Sequence, residues 1–496
     1  MAKTYTETLL NKTHLSPRMA TVRITKDVVH IPCEGIGVNI TLDAQAGNCY
    51  PELNDEQGWR CLLDNLSWLS PRWICLTLPA EEVVSQAGKV IENAVVLKRL
   101  DRFCGWAEEK KVNIDLMLPK STPDWLKFKM ANCPGPAPAD IGAYANLVCN
   151  VMEYLIRAKG YGRIKYLTIF GEPFNEDGGY FSFGTPDGID PYSYYVDLLK
   201  SVRKALDGRN LSDLGLLGPN SADVYAHLET MKRLAARGLN LGQHLAAVDM
   251  HSYRVRLNYL PPAHQVPTCP MNEYVNNHLR PAVAQAVAQG KPFFITELGC
   301  MYYGKSVYGD PRGPSRHAAF ITEAELIVRG LNLGVDGFLK WVYLFDNRQS
   351  RAHYQLLDLT DGVYLRKRGF YGYGALCRHF PAGAKVLRAE VKETGGESLH
   401  VAVIRSKAGE VTTMFLVNDH PADMLDVHIN GIDSKKSFHK FVFDHSAKAE
   451  KGEACSRTDN GNVTLRLTPL SLTVLTNAAP MFDNSTKGPQ LIRLIQ

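Results

Sequence analysis

The sequence of 496 residues has no uninterrupted apolar run of about 18 residues, the length a helix needs to cross a bilayer. A membrane-spanning helix is therefore not expected. It also lacks an arginine- or lysine-rich block. With 56 basic against 51 acidic residues, the formal charge of +5 gives no reason to expect nucleic acid as a partner. The opening segment, MAKTYTETLL, is missing the basic-then-apolar order of a secretion signal. Eleven cysteines are present, an odd number, with no close pairs of the kind that ligate zinc or exchange disulfides. Cys75 in WICLTL, Cys149 in NLVCNVM and Cys377 in GALCRHF sit inside apolar runs, as small buried hydrophobes do. A reducing, cytoplasmic setting follows, or a secreted one if a leader has been removed. No histidine cluster suggests a metal, and no cofactor is implied.

What is present is alternation. From about residue 35 to 382, short apolar runs alternate with longer amphipathic ones, the pattern of βα units around a parallel sheet. The expected strands are 35–41, 73–78, 112–118, 165–170, 214–219, 246–251, 292–296 and 337–342. Helices are expected over 93–111, 141–159, 191–206, 224–237, 272–289 and 316–333, with a last one over 369–379 after the eighth strand. Eight such units over some 350 residues is the count of a (β/α)8, or TIM, barrel. A doubly wound sheet would not need eight, and no glycine-rich phosphate turn follows the first strand. After about residue 385, short alternating runs separated by turn residues predict a C-terminal antiparallel β-sandwich of seven or eight strands. The expected division is 1–32 N-terminal strands, 33–384 catalytic barrel, 385–480 sandwich and 481–496 tail. Residues 19–31 also alternate, with a turn expected at Lys26-Asp27. They either add a hairpin to the sandwich or close the bottom of the barrel.

In a barrel, active sites lie at the carboxyl ends of the strands. The fourth strand, KYLTIF, runs into Gly171-Glu172-Pro173, and the seventh, FFIT, into Glu297-Leu298-Gly299. A carboxylate directly after each of these apolar strands suits glycoside hydrolysis with retention. Two carboxyl groups about 5–5.5 Å apart then flank the anomeric carbon. The bland alternative for each is a capping or loop charge.

KYLTIFGEP followed by FFITELG resembles the clan-A retaining glycoside hydrolases, (β/α)8 barrels with their acid/base on strand four and nucleophile on strand seven. The resemblance spans nearly the whole chain. It implies Glu172 as acid/base and Glu297 as nucleophile. GFLKWVYLFD resembles the clan's eighth strand, which makes Trp341 the floor of the sugar subsite. VDMHSY resembles the sixth, with His251 and Tyr253 lining the pocket. GYGALCRHFPAGAKVL and LTPLSLTVLT resemble the link into the accessory sandwich and its closing strand.

Two departures stand out. Most of the clan places Asn, which contacts the sugar 2-hydroxyl, directly before the acid/base. Here Gly171 stands there, leaving Asn175 as the candidate amide and Glu176 in FNED as a rival acid. On the second strand, where many relatives carry Arg, the sequence offers Cys75 and Thr77, with Arg72 at its start. Further candidates are open between sugar contact and structure. Asn39 contacts sugar or caps a turn, Trp125 stacks on sugar or packs a helix, and Asn220 contacts ligand or makes a turn. Arg254, Arg256 and Lys340 recognise an acidic sugar or form a solvated face.

The function these residues imply is a retaining O-glycosyl hydrolase cleaving a β-glycosidic bond by double displacement. Tyr180, Phe181, Phe183, Tyr302 and Tyr303, able to wall a pocket, favour exo action on oligosaccharides or small glycosides. A carbohydrate substrate is the partner expected, together with a possible homo-oligomer. The alternative is a non-catalytic carbohydrate-binding barrel. A metal-dependent hydrolase or aldolase is disfavoured, Lys340 being the one amine to exclude.

Overall fold

The structure is a computed structural model. It describes residues 18–42, 49–118, 122–128, 137–174, 184–259, 268–300, 314–345, 354–360, 363–432, 437–444, 453–454 and 462–478. Eight parallel strands close into a barrel: Gly35–Thr41, Trp73–Thr77, Asn113–Met117, Ile164–Thr168, Gly215–Ser221, Ala247–Ser252, Phe293–Leu298 and Gly337–Lys340, here the first to eighth barrel strands. Each pairs with its sequence neighbours, and the eighth returns to the first through Gly337↔Gly35 to Lys340↔Val38. The strands read as apolar runs because helices cover their outer side while their inner side chains fill the barrel. All seven residues of the first strand and all six of the seventh are buried.

Helices occupy the expected intervals, with one over Glu56–Leu69 after the first strand and Arg368–Arg378 after the eighth. Side-chain caps begin several: Asp55 accepts from the Gly58 N–H, Asp140 from Ala143, Asp190 from Ser193 and Asp223 from Ala226. The stretch expected as one helix over 141–159 is α-helical to Glu153 and then widens into a π-turn over Tyr154–Ala158.

Inside the barrel, alternate residues of each strand form layers. The bottom layer is apolar, with Trp73, Phe294, Leu217, Ala247 and Leu339. Trp73 fits only because the eighth strand opens with glycine: a Cβ on Gly337 would lie 2.7 Å from the indole. Above it the lining turns polar with Asn39, Asp115, Thr168, Asp249 and Thr296, all buried.

The second domain is a nine-stranded sheet among the described residues, in the order Glu453–Ala454, His439–Phe443, Ser471–Thr476, Thr412–Asn418, Leu399–Arg405, Lys385–Glu393, Arg18–His30, Leu425–Asn430 and Val463–Leu467. Its pairings are antiparallel, except that Arg18–Arg23 runs parallel to Leu425–Asn430. Period two sorts its side chains. Ala402, Ile404, Phe415, Val417 and Val474 join the barrel's core, while Val401, Val403, Met414 and Leu416 close a second core with Ala20, Val22, Val427 and Ile429. The turn expected at Lys26-Asp27 is not formed. Residues 18–30 make one long strand whose register shifts between Ile24 and Val28, so a bulge absorbs the irregular stretch. The strand belongs to the β domain, and its end also reaches the barrel floor, where His30 lies 3.1 Å from Asp336.

Among the described residues no helix is long and apolar enough to cross a membrane. The nine described cysteines are free thiols.

Candidate active site

Four strand ends converge. After the fourth barrel strand, Glu172 sits with φ at +52°, a left-handed conformation unusual for a residue with a Cβ. Such outliers concentrate at functional sites. Its backbone N–H donates to Asn220 Oδ1 at 3.1 Å. Asn220 ends the fifth strand, also with φ at +53°, and its amide is fully engaged. Nδ2 donates to Asp249 Oδ2 at 2.6 Å and to the Thr296 hydroxyl at 3.2 Å, while its own N–H donates to Asp249 Oδ1 at 2.7 Å. Thr296 Oγ1 in turn donates to Asp249 Oδ2 at 2.8 Å and directly precedes Glu297. A buried carboxylate, Asp249, thus ties the backbone of one glutamate to the strand of the other.

The sixth strand sends Asp249, His251 and then Tyr253 to the same side, two residues apart. His251 Nδ1 lies 2.8 Å from Glu172 Oε1 and 3.2 Å from Glu297 Oε2. The Tyr253 hydroxyl donates to Glu297 Oε2 at 2.5 Å. One oxygen of each glutamate and a ring nitrogen of His251 all lie within 4.8 Å of one another. Burial pushes the His251 pKa down, but the charges of Glu297 and Glu172 outweigh it and the net shift is upward. Beneath, burial and then the Asp249 charge raise Asp115 to about 7, and Thr168 Oγ1 holds that carboxyl at 3.2 Å.

Of the residues singled out in the sequence, Glu172, Glu297, His251 and Tyr253 come together. Asn39 and Asn220 lie directly beneath and are fully buried. Asn39 Nδ2 donates to the Thr296 carbonyl at 2.8 Å, so it braces the seventh strand, as Asn220 braces the fifth. Trp341 directly follows the eighth strand and is half-buried, its backbone N–H donating to the Leu298 carbonyl at 2.9 Å. Trp125 packs its ring against the main core and borders a surface cleft with Glu81, Gln86 and Asp124, apart from the hydrogen-bonded cluster. Asn175, Glu176 and the aromatics at 180, 181, 183, 302 and 303 lie outside the described residues.

The charged candidates separate. Lys340 is not on a solvated face. It is buried with its Nζ 2.6 Å from Glu323 Oε1, an ion pair that engages this amine. Arg254 pairs with Asp223 at 3.2 Å and feels the charge of Glu172. On the second strand, Arg72 points to the barrel floor and donates to the Phe380 carbonyl at 2.6 Å, while Thr77 pairs with Thr41 at 2.8 Å. Neither of those bonds reaches Glu297, which is met by His251 of the sixth strand and by Tyr253 just past it.

Sequence reasoning missed Asp249, Asp115 and Thr296. Their signal was available: an aspartate in the middle of an apolar strand, VDMHS or NIDLM, is costly unless hydrogen bonds compensate it. Tyr354 was also missed. Its ring meets Tyr253 edge-on at 5.6 Å, over Gly299.

This barrel with its β domain is a fold found in solved glycoside hydrolases. Solved structures with this architecture include the catalytic domain of the GH30 xylanase C from Talaromyces cellulolyticus, at TM-score 0.64 and 14% identity, covering 92% of this chain and 100% of that one. A family 51 α-L-arabinofuranosidase from Bifidobacterium longum matches at 0.62 and 14%, over 93% and 100% of the two chains. A monomeric β-xylosidase from Caulobacter crescentus matches at 0.61 and 15%, over 92% and 99%. No protein-family model and no curated protein sequence matches the chain.

Proposed function

We propose that this protein is a retaining glycoside hydrolase, with Glu297 as nucleophile and Glu172 as acid/base. The observation that carries the proposal is the pair of glutamate oxygens within 4.8 Å on the ends of the fourth and seventh strands. That spacing suits direct attack by one carboxylate. An inverting enzyme, holding a water between them, needs about 6.5–9.5 Å. The donors from Tyr253 and His251 favour the ionised form a nucleophile requires.

Glu297 attacks the anomeric carbon as the glycosidic C–O bond breaks, and Glu172 gives its proton to the departing oxygen. Glu172 then takes a proton from water, whose oxygen displaces Glu297 from the sugar. His251 Nδ1, facing one oxygen of each glutamate, steadies whichever of the two is ionised at each step. The reading extends to exo action on short oligosaccharides or small glycosides with β-linkages, supported by the aromatic runs after the fourth and seventh strands. Trp341, Trp125 and Asn175 are the proposed sugar contacts, with Asn39 and Asn220 acting from below.

Proton NMR of the first-formed product from an aryl glycoside tests the mechanism. Retention of anomeric configuration is expected, and inversion would overturn the reading. Glu172→Gln should lose hydrolysis of poor leaving groups while Glu176→Gln keeps it; the reverse would move the acid to Glu176.

A further inference from the structure

Just past the sixth barrel strand, the chain forms a short parallel ladder in which Cys269 pairs with Val255, and the Cys269 N–H donates to the Arg254 carbonyl at 2.8 Å. Cys269 is buried and rigidly placed. A helical turn, Met271–Glu273, follows and then widens into a π-turn over Tyr274–Leu279 before α geometry resumes at Arg280. The widening matters for side chains. At 3.6 residues per turn, a residue five positions on is rotated by about 140° from its start. The i→i+5 bonding of a π-turn brings it back to the same face, and single π-turns often mark functional positions. Here it carries His278 over Glu273. Cys269 Sγ, a Glu273 oxygen and a His278 ring nitrogen lie within 4.8 Å of one another.

Thiolate, imidazole and carboxylate are the ligand types of Zn2+ and related borderline cations, whereas Mg2+ and Ca2+ take oxygen alone. Tetrahedral bonds of about 2.0–2.3 Å put ligand atoms roughly 3.3–3.6 Å apart. Glu273 is exposed, and its carboxylate already accepts from the Cys269 thiol. The Tyr225 ring packs edge-on to His278 at 4.6 Å and its hydroxyl bonds to the Cys269 sulfur, so both ligands have an outer partner that orients them. A similar group at the domain seam, Glu325, His400 and Asp419, is less suited, because the Arg329 guanidinium already pairs with Glu325 at 2.9 Å.

We propose that Cys269, Glu273 and His278 form a binding site for a thiophilic divalent cation of the Zn2+ class, with water as fourth ligand. The site is separate from the two catalytic glutamates and independent of their assigned roles. A cation there would pin the start of the helix to the ladder beside Arg254, stiffening the rim near Glu172.

Co2+ titration of the full-length protein reads the site directly, since only a thiolate ligand produces an intense sulfur-to-cobalt charge-transfer band. One equivalent should generate that band in the wild type and in Glu297→Gln, and Zn2+ should displace it. Cys269→Ser should abolish the band, and His278→Ala should weaken Co2+ binding at least tenfold. Should Cys269→Ser fail to fold, alkylation of wild-type Cys269, followed by peptide mass spectrometry, gives the same answer: Zn2+ should slow it. A missing band, a band that survives Cys269→Ser, or alkylation indifferent to Zn2+ would overturn the proposal.

Discussion

Asn220→Gly isolates the strut between the two glutamates. The side chain of Asn220 accepts from the Glu172 N–H and donates to Asp249 and Thr296, so three hydrogen bonds go at once. One involves a charged partner, worth about 1.5–3 kcal/mol, and two are neutral, worth about 1 kcal/mol each. The expected loss of stability is therefore roughly 3.5–5 kcal/mol. Because φ at this position is +53°, glycine tolerates the backbone, while alanine costs about 1 kcal/mol more. Denaturant unfolding should rank wild type above Asn220→Gly, and Asn220→Ala last.

Activity should respond more selectively. Without Asn220, the left-handed turn that aims Glu172 loses its brace, and a misplacement of about 1 Å costs on the order of 10²-fold. Two aryl glycosides of the same sugar separate the causes. One carries an acidic phenol that leaves without a proton, the other a weakly acidic phenol that needs one. The loss in kcat/KM should reach about a hundredfold on the second and be small on the first. Equal losses on both would show that Asn220 does not act through the acid, and the reasoning fails.

Tyr253→Phe removes one donor from Glu297, and at about 1.5–3 kcal/mol for a bond to a charged group it should lower kcat/KM on both substrates alike, by roughly 10- to 150-fold; a loss confined to the poor leaving group would contradict the nucleophile role. Gly299→Ala places a Cβ 2.8 Å from Tyr354 and 3.0 Å from Tyr253, so overpacking of about 1–3 kcal/mol and a weakened Tyr253–Glu297 bond should follow, seen as lower thermal stability and a smaller kcat. His251 holds its proton more tightly in the folded state than in the unfolded one, so the stabilisation it contributes is complete below about pH 6.5 and is lost as pH rises through the higher folded value. Asp115, raised to about 7, also costs stability as pH rises from its unfolded value, but that slope ends near neutrality, and His400, raised by Glu325 and Asp419, adds to the alkaline fall without touching Glu297. The melting temperature should therefore decline above neutrality in the wild type and decline less in Glu297→Gln, and an unchanged slope would remove the coupling.

The barrel was legible because its strands, covered by helices, are apolar runs that end abruptly in polar residues. The start of the first strand falls at Gly35 in both readings. That the two glutamates stand at strand ends was legible for the same reason: each is a charge where an apolar strand stops, after FFIT or after KYLTIFG. The partners of those charges were not legible. Sequence shows that His251 and Tyr253 share a side of their strand, but not that both meet Glu297, which is contributed by a neighbouring strand. Asn220 looked like a turn residue or a ligand contact, and its amide turns out to be consumed by Asp249, 29 positions on. Arg72 and Lys340 show the same limit. Which end of a strand a side chain serves is set by the closed barrel, and Glu323, the partner of Lys340, comes from a helix that packs behind it. The parallel pairing of Arg18–Arg23 with Leu425–Asn430 spans some four hundred positions, and local alternation carries no trace of it.

The most direct measurement exposes the protein to a panel of activated 2-deoxy-2-fluoro glycosides and follows its intact mass. One sugar of the panel should add a single fluoroglycosyl unit, and digestion should place that unit on Glu297, naming the nucleophile and the sugar together. An adduct on another residue, or sugar binding with no adduct and no turnover across the panel, would contradict the account.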